Sequence, residues 1–200
     1  MAGLTDYHDE VYEPGDLLWW SGRHWQSRLI ELVTTNLGQK LRGEWISHGS
    51  IIAHYHGVIK NWESTTFCPL PCDAAGELVS GVQCHNPIKE IELYDGCVWI
   101  SKMKRPLWPA QQKRLAAWLE EVRGRPYDYD QAIGSANPAW VKRLIWSPPD
   151  DSSFYCDELQ ATALNVLNVI DWLNPSRLTP ASLAHQCVDC NKYHPLKRIK

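Results

Sequence analysis

The 200-residue chain holds only two phenylalanines, so little of its aromatic core volume can come from Phe. It has no apolar run approaching the roughly 18 residues that span a bilayer, which argues against a membrane span. It has no excess of either charge: 20 Lys and Arg stand against 23 Asp and Glu, a formal net charge of -3. Composition therefore makes no electrostatic case for nucleic acid or an anionic membrane as partner. There is no internal repeat and no low-complexity tract. The first ten residues, Met1 to Glu10, lack the basic start and apolar stretch of a signal peptide. The expectation from that absence is a cytoplasmic protein. With 44% apolar and 22% charged residues, disordered and fibrous classes are excluded as well. At this length a single domain over residues 1–200 is the expectation, with a flexible or metal-binding tail at 186–200.

Two residue types are over-supplied. Eleven tryptophans make the large aromatic volume mostly indole. Seven cysteines are an odd number. Without a secretory leader they point to free thiols, a metal site or a catalytic thiol before a disulfide framework.

Periodicity and turn chemistry suggest the elements. Glu13-Pro14-Gly15-Asp16 is a turn running into a short buried strand, Leu17-Leu18-Trp19-Trp20. Adjacent Trp19 and Trp20 must face opposite ways on a strand, so one of them is expected under a loop or in a cleft. Trp25, Leu29, Leu32 and Val33 recur at helical spacing, which predicts a helix over about 24–37. Residues 50–55 and 58–63, separated by His56-Gly57, read as a tight hairpin. Residues 64–90 read as a Pro- and Cys-rich loop, a candidate lid, and Gly96 to Met103 as another strand. Pro109 opens a helix with Leu115, Trp118, Leu119 and Val122 on one face, and Gly124 closes it. Residues 134–153 read as a second loop, ending in Asp151-Ser152-Ser153, an N-cap cluster. The helix after it, with Leu159, Ala161, Ala163, Leu164, Val166, Leu167, Val169 and Ile170, is apolar nearly all round. It is therefore expected at the centre of the domain. From Asn174 the chain reads as loop. The order indicates an α+β fold, with helices packed on a mostly antiparallel sheet.

One constellation suits nucleophilic chemistry. Cys156, in Phe154-Tyr155-Cys156-Asp157-Glu158, falls in the first turn of the central helix, where free N–H groups and the helix dipole favour a thiolate. His48 opens the first hairpin strand and Glu63 ends its partner, so a tight hairpin makes them neighbours. A carboxylate beside an imidazole fixes its tautomer and supports the imidazolium. Thiol, imidazole and carboxylate together form a nucleophile, a base and a group orienting the base. This set needs no metal and no cofactor.

In order along the chain, the segments resemble the circularly permuted branch of the NlpC/P60 papain-like superfamily, the YaeF/YiiX type. The resemblance rests on Gly15-Asp16, Ser47-His48, Trp62-Glu63, Gly124-Arg125-Pro126-Tyr127-Asp128, Tyr155-Cys156-Asp157-Glu158 and Thr179-Pro180-Ala181-Ser182-Leu183-Ala184. It spans about residues 13–185. It implies a permuted papain-like fold whose central helix carries Cys156 as nucleophile, with His48 as base and Glu63 orienting it. It also places Tyr127 near the thiol, with Tyr155 and Asp157 on the substrate side. Asp157 departs from the usual Ser. It opposes thiolate formation if it points inward, and is favoured by the dipole if it faces solvent. The implied activity is that of a cysteine peptidase or amidase working through an acyl-thioester on a peptide or amide, cell-wall fragments included. Acyl transfer on lipids, or binding without catalysis, is the alternative. A phage-encoded or otherwise delivered protein is the alternative to the cytoplasmic expectation.

A third reading rests on His185, Cys187, Cys190 and His194, two thiols and two imidazoles that could close a tetrahedral zinc site. Cys68, Cys72 and Cys84-His85 form a second, looser set.

Overall fold

The structure, a computed structural model, describes residues 7–23, 45–66, 68–129, 152–170, 175 and 178–200. The helix expected over 24–37, Trp25 and Trp172, and nearly all of the 134–153 loop lie outside the described residues.

Six strands form one antiparallel sheet: β1 (Leu17–Gly22), β2 (His48–Tyr55), β3 (Val58–Thr65), β4 (Gly81–His85), β5 (Gly96–Ser101) and β6 (Lys197–Arg198), in the order β4-β3-β2-β1-β5-β6. Four helices complete the described fold: α1 (Pro87–Leu93), α2 (Pro109–Val122), α3 (Cys156–Val166) and α4 (Pro180–Asp189). The result is the mixed α and β architecture that the sequence suggests. The hairpin closes where expected. Tyr55 pairs with Val58, and the two turn residues both take positive φ, His56 at 48° and Gly57 at 79°. That is the two-residue turn whose twist matches the flanking strands.

The sheet is buried on both faces. Leu17, Trp19, Ile51 and Trp62 lie in the larger core with residues of α2, α3 and α4. Leu18, Trp20, Ile52, Val98 and Ile100 turn the other way, under Ile91 of α1 and Ile199. The Trp19-Trp20 expectation is thereby corrected: neither ring is exposed, because each face has its own cover. Each indole N–H is satisfied inside, Trp19 by Ser101 Oγ at 3.0 Å and Trp20 by Ser50 Oγ at 2.8 Å.

Three further readings change. The 64–90 stretch is not a plain loop. It contains β4 and α1, and the segment before β4 is tied to that strand, with Asp73 N–H donating to Cys84 O at 2.8 Å. Short strands and one two-turn helix, whose apolar periodicity is broken by Pro and polar residues, leave little pattern to read. The tail is not loop either. Pro180 starts α4, where Thr179 Oγ1 accepts from Ser182 N–H at 3.2 Å and Ser182 Oγ accepts from Thr179 N–H at 2.8 Å. Thr179-Pro180-Ala181-Ser182 is thus a helix-start device. Finally, α3 starts at Cys156 rather than at the Asp151–Ser153 cluster. Ser153 Oγ donates to Asp128 Oδ2 at 2.8 Å instead.

Gly15-Asp16 locks the start of the sheet. Asp16 is buried and accepts from Glu13 N–H at 2.8 Å, Met103 N–H at 3.1 Å and Lys102 Nζ at 2.6 Å. Gly15 has φ +97°, and a Cβ there would lie 2.3 Å from Met103 Sδ. Removing one partner of a buried ion pair strands the other charge. Asp16→Ala is therefore expected to cost about 3 kcal/mol in urea unfolding. Arg123→Ala, which breaks an exposed pair with Glu120 at 2.7 Å, is expected to change stability by less than about 0.5 kcal/mol. Equal effects would show that Asp16 is not a structural lock.

Candidate functional site

β2 and β3 bring together the imidazole and the carboxylate. The register pairs Ile51 with Trp62. Continued by one residue, it sets Glu63 opposite Ser50 and makes His48 the diagonal neighbour of Glu63 on the same face. His48 Nε2 and Glu63 Oε2 are 2.6 Å apart, with side chains 19% and 4% exposed. The neighbourhood read from the hairpin is present.

More acid and more histidine surround this pair than the sequence reading named. Glu90, from α1, is buried beside Glu63, and its Oε2 accepts from Asn61 Nδ2 at 2.8 Å. His85, at the end of β4, places Nε2 3.7 Å from Glu63 Oε1. Burial governs the protonation of the group. It pushes the His48 imidazolium down to about 4, with the Glu90 charge acting weakly against it. It pushes the Glu63 carboxyl up to about 7 and the Glu90 carboxyl well above its ordinary range. Each group is thus driven toward its uncharged form.

Cys156 sits in the other half of the site. It is the first residue of α3, with Tyr155 as N-cap. α3 lies directly on β2: Gln160 Nε2 donates to Ser50 O at 2.6 Å, and a Cβ on Gly49 would lie 2.1 Å from Gln160 Oε1. The thiol receives the backbone N–H of Gly49, the residue after His48. It donates to Asp157 Oδ1 at 3.6 Å, and none of its hydrogen bonds goes to His48. By strand alternation, His48 and Glu63 project with Trp20 toward the α1 face, while α3 covers the opposite face. The two halves adjoin only at the start of β2.

The expected thiolate at the helix start is not what this environment favours. Asp157 is buried, not solvent-facing, and its Oδ2 has no hydrogen-bond partner. Burial first, and the Asp157 carboxylate second, push the Cys156 thiol well above its ordinary range. Burial likewise raises the Asp157 carboxyl. These two effects outweigh the dipole. The thiolate-favouring surroundings belong to Cys72. Hydrogen bonding from the Cys84 side chain, helped by N–H groups of Cys84, Ala74 and Ala75, brings its thiol down to about 5.

Tyr127 and Tyr155 part company. The Gly124–Asp128 segment lies alongside Phe154, with Phe154 N–H donating to Pro126 O at 3.1 Å and Asp128 N–H to Phe154 O at 3.2 Å. This brings the half-buried Tyr127 within electrostatic reach of Cys156 and Asp157, which add to burial in raising its hydroxyl. Tyr155 is fully buried, and its hydroxyl is spent on the carbonyls of Pro175 at 2.8 Å and Leu178 at 3.1 Å. Its role here is to hold the chain before α4.

Among the described residues, the donor atoms of Glu63, Cys68 and His85 lie within 4.8 Å of one another, the one group of three or more that could hold a metal ion. Cys68 and His85 belong to the looser set read from the sequence; Glu63 was read only as the partner of His48. The tail residues His185, Cys187, Cys190 and His194 do not form such a group among the described residues. Cys187 is buried in the core, and Cys190 Sγ donates to Cys187 O at 3.4 Å.

No family model matches the sequence. No curated protein matches it either. Among solved structures, the fold is similar to that of the metalloprotein yiiX from Escherichia coli O157:H7, DUF1105. The TM-score is 0.51 and the identity 18%, over 92% of this chain and 87% of that one. The chain therefore has a YiiX-type fold; at this identity the likeness concerns the fold alone.

The contact between Asp157 and the thiol is directly testable. Replacing Asp157 with Ser removes the acceptor that holds the proton on sulfur. Alkylation of Cys156 at pH 8, read by peptide mass spectrometry, is expected to accelerate in Asp157→Ser by about tenfold for each unit the thiol pKa falls. An unchanged rate would mean that burial alone sets the thiol.

Proposed function

We propose that the protein is a thiol hydrolase, a cysteine peptidase or amidase, that forms an acyl-thioester on Cys156. His48 is the base and Glu63 its orienting partner. The observation that carries this reading is the junction at the start of β2: a buried His48–Glu63 contact of 2.6 Å, followed at once by Gly49, whose N–H meets the Cys156 thiol. What supports the reading is that His48 meets the Glu63 carboxylate and the next residue, Gly49, meets the Cys156 thiol. In the reaction His48 takes the thiol proton and sulfur attacks the substrate carbonyl. Backbone N–H groups at the start of α3 hold the oxyanion. The leaving amine takes its proton from His48, and water then cleaves the thioester. Peptide or amide substrates, cell-wall fragments among them, suit this chemistry. The electrostatic influence of Cys156 and Asp157 on Tyr127 supports a substrate contact by this side chain near the thiol.

A second reading has one specific observation in its favour. The thiol is protonated and bonded to Asp157, not to His48. In that reading the same cleft binds a peptide, amino acid or lipid without turnover.

Acyl trapping separates the two. The protein is incubated with small p-nitrophenyl acyl esters and peptidyl amides, and the adduct is located by mass spectrometry. Acylation of Cys156 that disappears in His48→Ala supports the hydrolase. An adduct on Cys72 alone, or one indifferent to His48→Ala, supports binding without catalysis.

The pH profile has a stated sign. Below about 7 Glu63 holds its proton and donates it to His48 Nε2, so the ring carries its own hydrogen on Nδ1 and cannot accept the thiol proton there. Above about 7 the carboxylate accepts from Nε2–H and frees Nδ1. In chelator-treated protein, acylation is therefore expected to rise through about pH 7, with no limb at the imidazolium value of about 4. Glu63→Gln can still accept from Nε2–H but does not titrate. It is expected to lose the limb at 7 and to slow acylation by about 10²-fold or more. A limb that stays at 7 in this variant would assign the titration to another group.

A further inference from the structure

We propose that Glu63, Cys68 and His85 bind a divalent transition-metal ion of the zinc type on the α1 side of the sheet. This goes beyond the hydrolase reading and does not depend on it: Cys156 and the Nδ1 edge of His48 take no part.

The pairing of β3 with β4 builds the site. Glu63 lies opposite Gln83, and Asn61 opposite His85, so His85 is the diagonal neighbour of Glu63 on one face. The connection between the strands returns Cys68 beside them, and the three donor atoms fall within 4.8 Å of one another. They are a thiol sulfur, an imidazole nitrogen and a carboxylate oxygen, the ligand types that zinc accepts.

The hydrogen bonds around the cluster leave a place for a cation. His85 Nδ1 lies 3.2 Å from Pro71 O. A carbonyl only accepts, so Nδ1 carries the hydrogen and, in the neutral ring, Nε2 presents its lone pair. This is the arrangement that orients a metal-binding imidazole. Nε2 faces Gln83 Oε1 at 3.0 Å. Gln83 is not free to turn its amide, because its Nε2 points at the carbonyls of Thr65 at 3.0 Å, Val79 at 3.3 Å and Gly81 at 3.4 Å. Glu63 Oε1, on a side chain 4% exposed, lies 3.7 Å from His85 Nε2 and has no hydrogen-bond partner. His85 Nε2 and Glu63 Oε1 thus lie within reach of the Cys68 thiol, whose hydrogen bond goes to the Glu63 carboxyl. The nearby cation, Lys60, is engaged with Asp73. A divalent ion bound by His85 Nε2, Glu63 Oε1 and the Cys68 thiolate takes up both of these lone pairs and replaces the thiol proton, which leaves to solvent as sulfur binds. Cys68 is only half-buried, so the ion has a route from solvent. Three protein ligands leave a coordination position open. Because Oε2 of the same carboxylate holds His48, the ion would also keep Glu63 ionised and turned toward that imidazole.

The test uses the full chain, stripped with a chelator and titrated with Co²⁺ and with Zn²⁺. One equivalent of Co²⁺ with a thiolate-to-cobalt absorption in the near ultraviolet is expected. The absorption should vanish in Cys68→Ser and persist in Cys156→Ser. Glu63→Gln and His85→Gln should each weaken Zn²⁺ binding by more than the roughly tenfold that loss of a supporting partner already costs. Circular dichroism of each variant, matching the parent, confirms that the fold is retained. Absence of a stoichiometric ion would overturn the proposal. A thiolate band that survives Cys68→Ser and is lost with Cys187 or Cys190 would overturn it in favour of the tail. Acyl trapping on Cys156 reads the hydrolase proposal separately, so each can fail without the other.

Discussion

A buried carboxylate must be either neutralised or surrounded by partners, and Glu63 sits where both outcomes are built in. One oxygen meets His48 at 2.6 Å; the other faces His85 at 3.7 Å with no hydrogen bond. Glu90 stands behind it as a second buried acid. The sheet is covered on both faces, so water cannot dilute these charges. Burial is the largest cause that moves the Glu63 carboxyl up to about 7 and the His48 imidazolium down to about 4. The chemistry available at this end of the sheet depends on how that one carboxylate is satisfied: by a proton, by the Nε2–H of His48, or by a cation on its far oxygen.

The thiol half obeys the same constraint with the opposite outcome. A helix start favours an anion by a fraction of a kcal/mol to about 2 kcal/mol, whereas removing an ion from water costs several. Cys156 and Asp157 are both buried at that start; burial and the Asp157 carboxylate make the thiol harder to ionise, while burial raises the Asp157 carboxyl against the easing effect of the thiol's hydrogen bond. The dipole therefore loses. Asp157 takes the thiol hydrogen at 3.6 Å, and the resting state is a thiol held ready rather than a standing thiolate. Any base that takes this proton must compete with Asp157 for it.

The parts of this fold carried by strong local signals were legible in the sequence. His56-Gly57 between two β-rich runs can close only as a tight turn, and from that turn alone His48 and Glu63 become neighbours. Pro109 and the apolar stripe of α2 were equally readable, as was the all-round apolar helix that became α3. What escaped was set by tertiary contact. Gln83 and Glu90 are polar residues in short elements and Asn61 is a polar residue within β3, and nothing in their local pattern says that they are buried. They face inward because the strand pairing and α1 put them there. The status of Asp157 escaped for the same reason: dipole and solvent favour an outward carboxylate, and only the packing of α3 on β2 turns it in. One signal is local: Cys68 follows Glu63 by five residues, and His85 ends β4, the strand that returns beside Glu63.

β2 separates the two halves of the site, and its first residues are the place where they can act together. Along the body of a central strand, side chains on opposite faces are kept apart by the backbone and its hydrogen-bonded neighbours. At the strand's start that barrier ends. Gly49 is the point of contact. Its missing side chain admits α3 so closely that a Cβ would collide with Gln160, and its N–H then reaches the sulfur. The segment carrying Tyr127 arrives at the same end of α3, held by its pairing with Phe154. A reaction using Cys156 and His48 together must therefore take its substrate at the end of the sheet where β2 begins and β3 finishes, not over either face. That geometry makes the Gly49 backbone, more than any side chain, the element that links the Cys156 thiol to the His48 end of β2.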